Sequence, residues 1–245
     1  MTFLVLFLAA LWAGTQNALA GGGSFVTLPA LMFTGMDARA ANITSTIALF
    51  PAQLATGLTG RKLVSGAAGL SFLTLVLVSL AGGAVGAVLL LVTPPSFFAR
   101  LVPWLVLFAT GVFAYGSFMP RKDAAPTLNR WGAMAAQFFI SIYGGYFGGG
   151  IGFLMLAALT AAGLSTRIAS ANKNVLAGMM NASAVAIFVF SPEVRWMQAG
   201  VACAGAVLGG VLGGLTVQRV NERALRIFIV VVGVALTIGL FLRSP

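Results

Sequence analysis

The sequence predicts an all-α polytopic membrane protein made of two homologous halves related as inverted repeats. Three observations predict it. The chain is 60% hydrophobic and 7% charged, with a mean hydropathy of +1.03, whereas a soluble domain carries roughly 25% charged residues. Residues 1–36, 63–99, 101–120, 131–165 and 174–192 hold no charge at all, and ~20 apolar residues are enough to cross the hydrocarbon. Finally, two glycine triplets, Gly21-Gly22-Gly23 and Gly148-Gly149-Gly150, each interrupt an apolar stretch, and the residues after them keep in step for about 80 positions. An apolar chain of two related halves, each broken by glycine near its start, has the pattern of a secondary transporter.

The elements follow in order. Apolar runs fall at 2–20, 24–36, 41–59, 64–92, 98–119, 131–147, 150–163, 170–190, 196–217 and 224–242, which predicts about 8–10 membrane segments and leaves no room for a soluble domain. The polar stretch 120–130 separates an N-terminal half, 1–119, from a C-terminal half, 131–245. Residues 1–20 end on Ala18-Leu19-Ala20, like a signal cleavage site. They lack a basic n-region, and their repeat mate at 131–147 is internal, so they are read as a membrane segment. A shift of 128 places Gly35 on Gly163, Arg39 on Arg167, Thr46 on Asn174 and Gln53 on Asn181. A shift of 127 then places Gly82-Gly83 on Gly209-Gly210.

Charge orients the halves. With four crossings per half, the 14 basic residues divide evenly between the two sides. With five passes, each triplet marking a reversal, only Arg39, Arg100, Arg195 and Arg243 stay on one side and the other ten gather opposite. Cytoplasmic loops carry the excess of Lys and Arg, so five passes per half is preferred. An odd count makes the repeats inverted and puts both termini outside the cytoplasm. Each glycine-broken segment is then either a re-entrant hairpin or two full spans.

The triplets are the first candidate site. Glycine frees the backbone from helical geometry, and broken helices at membrane depth are tolerated where they line a protein cavity. Helices restarting at Ser24 and Ile151 aim positive N-terminal dipole ends into that cavity, and such ends bind anions. The competing reading of Gly21, Gly22, Gly23, Gly148, Gly149 and Gly150 is close helix packing through small residues. Polar residues in the third pass of each half are the second candidate: Asn42, Thr46 and Gln53 in one, Asn172, Lys173, Asn174 and Asn181 in the other. Thr46 to Gln53 and Asn174 to Asn181 are both seven apart, so each pair shares a helical face. Polar groups at this depth either line a path or act as interhelical glue. Lys173, whose repeat mate is Ser45, either neutralises a bound anion or snorkels to the interface. Arg39 and Arg167 are read as interfacial anchors, and Gly82, Gly83, Gly86, Gly205, Gly209 and Gly213 as helix-packing positions.

Several classes are excluded. The chain has no histidine, one cysteine (Cys203) and four acids: Asp37, Asp123, Glu193 and Glu222. That removes a Cys/His metal site, a His-based triad and a disulfide within the chain. No acid falls in the middle of a predicted span, so a carboxylate proton relay is missing. There is no Walker A motif. No enzyme activity, cofactor or metal is expected. The net charge of +10 reflects positive-inside loops and also attracts anions. No basic domain outside the membrane segments suggests nucleic acid as a partner. The expected partners are the lipid bilayer and a small anionic substrate, with homo-oligomerisation left open.

Residues 14–31 (GTQNALAGGGSFVTLPAL) and 144–156 (GGYFGGGIGFLML), with ANKNVL at 171–176, Asn181, residues 194–196 and the GGAVGA and GGVLGG segments, resemble the paired signatures of the sulfite exporter TauE/SafE family. The likeness covers nearly the whole chain. It implies movement of sulfite, sulfonates or related sulfur oxyanions across the cytoplasmic membrane, as export. The residues themselves imply an anion carrier working by alternating access, with the site between the halves. A channel-like facilitator and a non-transporting membrane subunit are the alternatives.

Overall fold

The computed structural model describes residues 1–19, 22–118, 127–216 and 222–243. Gly21, most of the 120–130 connection and Arg219 therefore lie outside the described residues. Among the described residues ten α-helices follow one another: α1 (Thr2–Leu19), α2 (Ser24–Met32), α3 (Ala38–Gly60), α4 (Phe72–Val92), α5 (Pro95–Phe118), α6 (Arg130–Tyr146), α7 (Ile151–Ala161), α8 (Thr166–Phe188), α9 (Trp196–Thr216) and α10 (Glu222–Arg243). Local sequence sets several boundaries. The Asp37 side chain accepts from the backbone N–H groups of Arg39 and Ala40, Ser71 from that of Thr74, and Asn129 from that of Gly132. Each satisfies a donor that the first turn of a helix leaves over.

The helices α4, α5 and residues 196–213 of α9 are long and apolar enough to cross a membrane. Leu73, Leu77, Val92, Trp104 and Phe139 project from the surface, where a hydrocarbon surround makes such exposure favourable. Inside, Leu6, Leu31, Ile43, Leu90, Phe98 and Phe188 share one buried cluster. In contrast, α2 and α7 have 9 and 11 residues, or about 14 and 17 Å at 1.5 Å per residue. Neither reaches across ~30 Å of hydrocarbon. The chain also doubles back at each break. A Cβ added at Gly23 would sit 2.9 Å from the Ala13 carbonyl oxygen, and one at Gly144 would sit 3.3 Å from Ile151 Cγ2.

The packing keeps its pattern when each helix is exchanged for the one five places later. Helix α1 lies on α9 as α6 lies on α4, and α3 meets α9 as α8 meets α4. Helix α2 touches α10 as α7 touches α5, while α3 pairs with α8 and α5 with α10. At the first of these seams the backbones touch. A Cβ at Gly209 would overlap the Leu11 carbonyl oxygen, and one at Gly86 would overlap that of Ile142. Thr15 Oγ1 also donates to the Gly209 carbonyl at 2.9 Å.

Helices α3 and α8 run antiparallel. Thr44 of α3 accepts from the Arg195 backbone N–H just beyond α8, Gln53 accepts from Asn181, and Asn172 binds Ser65 just beyond α3. The N-terminal end of α3 is held by Arg39, which the sequence suggested as an interfacial anchor. Its guanidinium instead pairs with Glu193 in the loop before α9, with Nε 2.9 Å from Oε2. It also donates to the carbonyls of Leu91 and Thr93 at the end of α4.

Candidate anion site

Five helices converge on a cavity of about 60 Å³. The end of α1 contributes Asn17, and the start of α2 contributes Gly22 and Ser24. Leu49, Gln53 and Thr56 line it from one face of α3, and Lys173, Asn174 and Ala177 from α8. Gly148, Gly150, Ile151 and Gly152 complete it from the start of α7. None of these is acidic.

Each break delivers a helix start to the cavity. Gly22 and Gly150 have φ of 84° and 72°, the left-handed region that glycine adopts without the cost of a Cβ. The cap positions, Gly23 and Gly150, provide no side-chain acceptor for the first-turn N–H groups. Two helix starts thus face the same space, each equivalent to roughly half a positive charge.

Lys173 is half-buried and adds the only formal charge among the described lining residues. It runs beside Gly152, where an added Cβ would lie 3.6 Å from Cδ and 3.9 Å from Nζ. Its repeat mate, Ser45, is buried and shares a 2.6 Å hydrogen bond with Thr27, so the other half supplies no matching cation. Gln53 is oriented from behind: Asn181 Nδ2 donates to Gln53 Oε1 at 2.6 Å. With that oxygen engaged, Gln53 has its NH₂ donors for the cavity. The arrangement is a small pocket that gathers Lys173, amide and hydroxyl side chains and two helix starts, with no carboxylate among its described lining residues.

Of the residues expected from sequence, the cavity brings together Gly22, Ser24, Gln53, Gly148, Gly150, Lys173 and Asn174. Gly23 packs on α1, and Gly149 lies against the Phe147 ring. Asn42 donates to the Tyr146 carbonyl at 3.0 Å, and Thr46 to the Asn42 carbonyl at 2.9 Å. Asn172 grips Ser65 at both its N–H and its carbonyl, at 3.0 and 2.7 Å. Asn181 stands one layer behind the wall. The lining adds Asn17, Leu49, Thr56, Ile151, Gly152 and Ala177. Leu49 and Ala177 are repeat mates at a shift of 128, midway along the two faces that the sequence marked, and Thr56 continues the α3 face. Asn17 carries no periodic signal.

Among the described residues, ten helices with apolar outer walls around a small polar chamber define a multi-pass membrane protein. The chain belongs to the sulfite exporter TauE/SafE family, whose profile matches residues 6–240. It is 28% identical over 237 residues to a "Probable membrane transporter protein" of Haemophilus influenzae, covering 95% of this chain and 92% of that one. It is likewise 28% identical over 248 residues to "Probable membrane transporter protein YfcA" of Escherichia coli K12, covering 98% and 90%. "Probable membrane transporter protein ORF9" of a Sinorhizobium species is 28% identical over 248 residues, covering 96% and 90%. The chain is a membrane transporter rather than an enzyme.

Proposed function

We propose that this transporter carries a small sulfur oxyanion, sulfite or a compact sulfonate, across the cytoplasmic membrane as an exporter working by alternating access. One observation carries the anion reading: two helix starts without side-chain caps and Lys173 meet in a cavity with no acid among its described lining residues. An oxyanion there would find donors in Lys173, the Gln53 amide and the two helix starts, with no carboxylate among the described lining residues to repel it. Sulfur as the central atom rests on the family. The small volume of the chamber, about 60 Å³, favours a carrier over an open pore.

Residues 1–119 and 131–245 are the two halves, joined by 120–130, and they are inverted. The antiparallel pairing of α3 with its counterpart α8 supports inversion, because a parallel repeat would leave counterparts pointing the same way. The ten-to-four division of basic residues supports a cytoplasmic membrane with Arg61, Lys62, Arg167 and Lys173 on the inner side.

The test is counterflow of labelled sulfite in proteoliposomes holding this protein alone, with sulfate, thiosulfate and small sulfonates as competitors. Saturable exchange that Lys173→Met abolishes is the expected result. Uptake linear in concentration, with no counterflow, would replace the carrier with a facilitator.

A further inference from the structure

The polar face of α3 does not stop at the cavity. Arg39, Asn42, Thr46, Leu49, Gln53 and Thr56 follow one another at steps of three and four residues, so they form a single stripe along the helix. Its last three members line the cavity. Its first three are bonded within the protein. Thr46 turns back to the Asn42 carbonyl, Asn42 crosses to the Tyr146 carbonyl on α6, and Arg39 crosses to Glu193 and to the end of α4. Tyr146 adds a second tie, its hydroxyl lying 3.3 Å from Thr93 Oγ1.

We infer that this bonded part of the stripe is the remainder of the permeation path, closed in this conformation by a gate made of Arg39 and Glu193. The inference rests on the transport reading above. Structural glue alone would give both ends of the bundle similar ties, because the packing repeats. The gate does not repeat. Arg39 has a repeat mate in Arg167, but the shifts of 127 and 128 place Gly66 and Ser65 opposite Glu193, and neither supplies a carboxylate. The ion pair therefore stands at one end of α3, and the cavity lies toward the other. The pair is also substantially shielded, with side chains 12% and 23% exposed, so its Coulomb attraction is less screened than that of a surface pair. It joins α3 to the loop before α9, so opening it removes one tie of that loop to α3 and leaves the bond from the Arg195 backbone N–H to Thr44. Arg39 then retains the Leu91 and Thr93 carbonyls, which keeps the guanidinium in place for reclosure.

The experiment needs no substrate. In a Cys203→Ser background, Thr46→Cys reports the closed end and Thr56→Cys the cavity end. Each is labelled in sealed vesicles of either orientation with a membrane-impermeant maleimide. In the parent, Thr46→Cys is expected to react slowly from the Arg39 side. Glu193→Gln and Arg39→Gln, which each remove one charge, are expected to speed that reaction about tenfold by shifting the population toward the open form. Glu193→Asp is expected to keep it slow. Either neutral variant suffices should the other fail to fold. Unchanged labelling in a folded neutral variant overturns the gate. Faster labelling without any sulfite counterflow keeps the gate and removes only the proposed substrate.

Discussion

Asn181 donates a 2.6 Å hydrogen bond to Gln53 across the crossing of α3 and α8, and the two residues occupy the same repeat position, 128 apart. The bond therefore joins two positions that the sequence shift of 128 places on one another. It also cannot be symmetric, since one amide must give its proton and the other its oxygen. Here Asn181 gives, and Gln53 turns its donors to the cavity. Replacing Asn181 with Asp takes the donor away and leaves two acceptors face to face. Gln53 then has to rotate and present its oxygen to the anion. Counterflow of sulfite is expected to fall about tenfold or more in Asn181→Asp, a loss on the scale of one misplaced buried hydrogen-bonding group. Size-exclusion and thermal-unfolding profiles check that the fold is retained.

Gly152 keeps the cavity open beside Lys173. A single methyl there would make ordinary contact with the lysine stem, 3.6 Å from Cδ. Gly152→Ala is expected to transport nearly as the parent does. Gly152→Leu places a branched chain into a space of about 60 Å³ and is expected to abolish counterflow while leaving the unfolding temperature within a few degrees.

The glycine seams are a matter of stability. Gly209→Ala drives a methyl into the Leu11 carbonyl, and Gly86→Ala does the same at Ile142. Each is expected to cost ~1–3 kcal/mol, the usual penalty for overpacking. Gly178→Ala on α8 is the control, because no atom lies within 4 Å of its added Cβ. Thermal unfolding in detergent should show the first two lowered and the third unchanged or raised.

Asn172 separates a structural polar residue from a binding one. Its amide closes two bonds to the Ser65 backbone and is fully buried. Asn172→Ala strands a backbone donor and acceptor, at about 1–3 kcal/mol each. The expected result is a lower unfolding temperature with the KM for sulfite unchanged in the protein that remains folded. A raised KM would return Asn172 to the cavity wall.

Much of this could be read from the residues alone. The triplets marked where helices restart, because few other arrangements put glycine at a break in an apolar run. The repeat shift marked the faces of α3 and α8, since helical periodicity survives from sequence into structure. Hydropathy left the second and seventh segments undecided between spans and hairpins: the apolar run 24–36 continues through the turn that ends α2 at Met32. Periodicity also could not say which polar residue on a face has a protein partner. Asn42 and Asn174 look alike in sequence, yet one is held by Tyr146 on another helix and the other lines the cavity. Such partners come from tertiary neighbours about 100 residues away in the chain, 104 for Asn42 and Tyr146, and no local pattern encodes them.

The glycine seams also bear on which parts can move. Helices α1 and α9 touch backbone to backbone, as do α4 and α6, and each of these struts takes one helix from either side of the central connection. Sliding within a strut would drive carbonyls through one another, so each strut travels as a unit. The first and last hundred residues are then not two jaws of a clamp. Side chains link the remaining helices at the Gln53–Asn181 hydrogen bond and at the Arg39–Glu193 pair. The boundary between the two sequence repeats and the seams along which helix backbones meet thus divide the same chain along different lines.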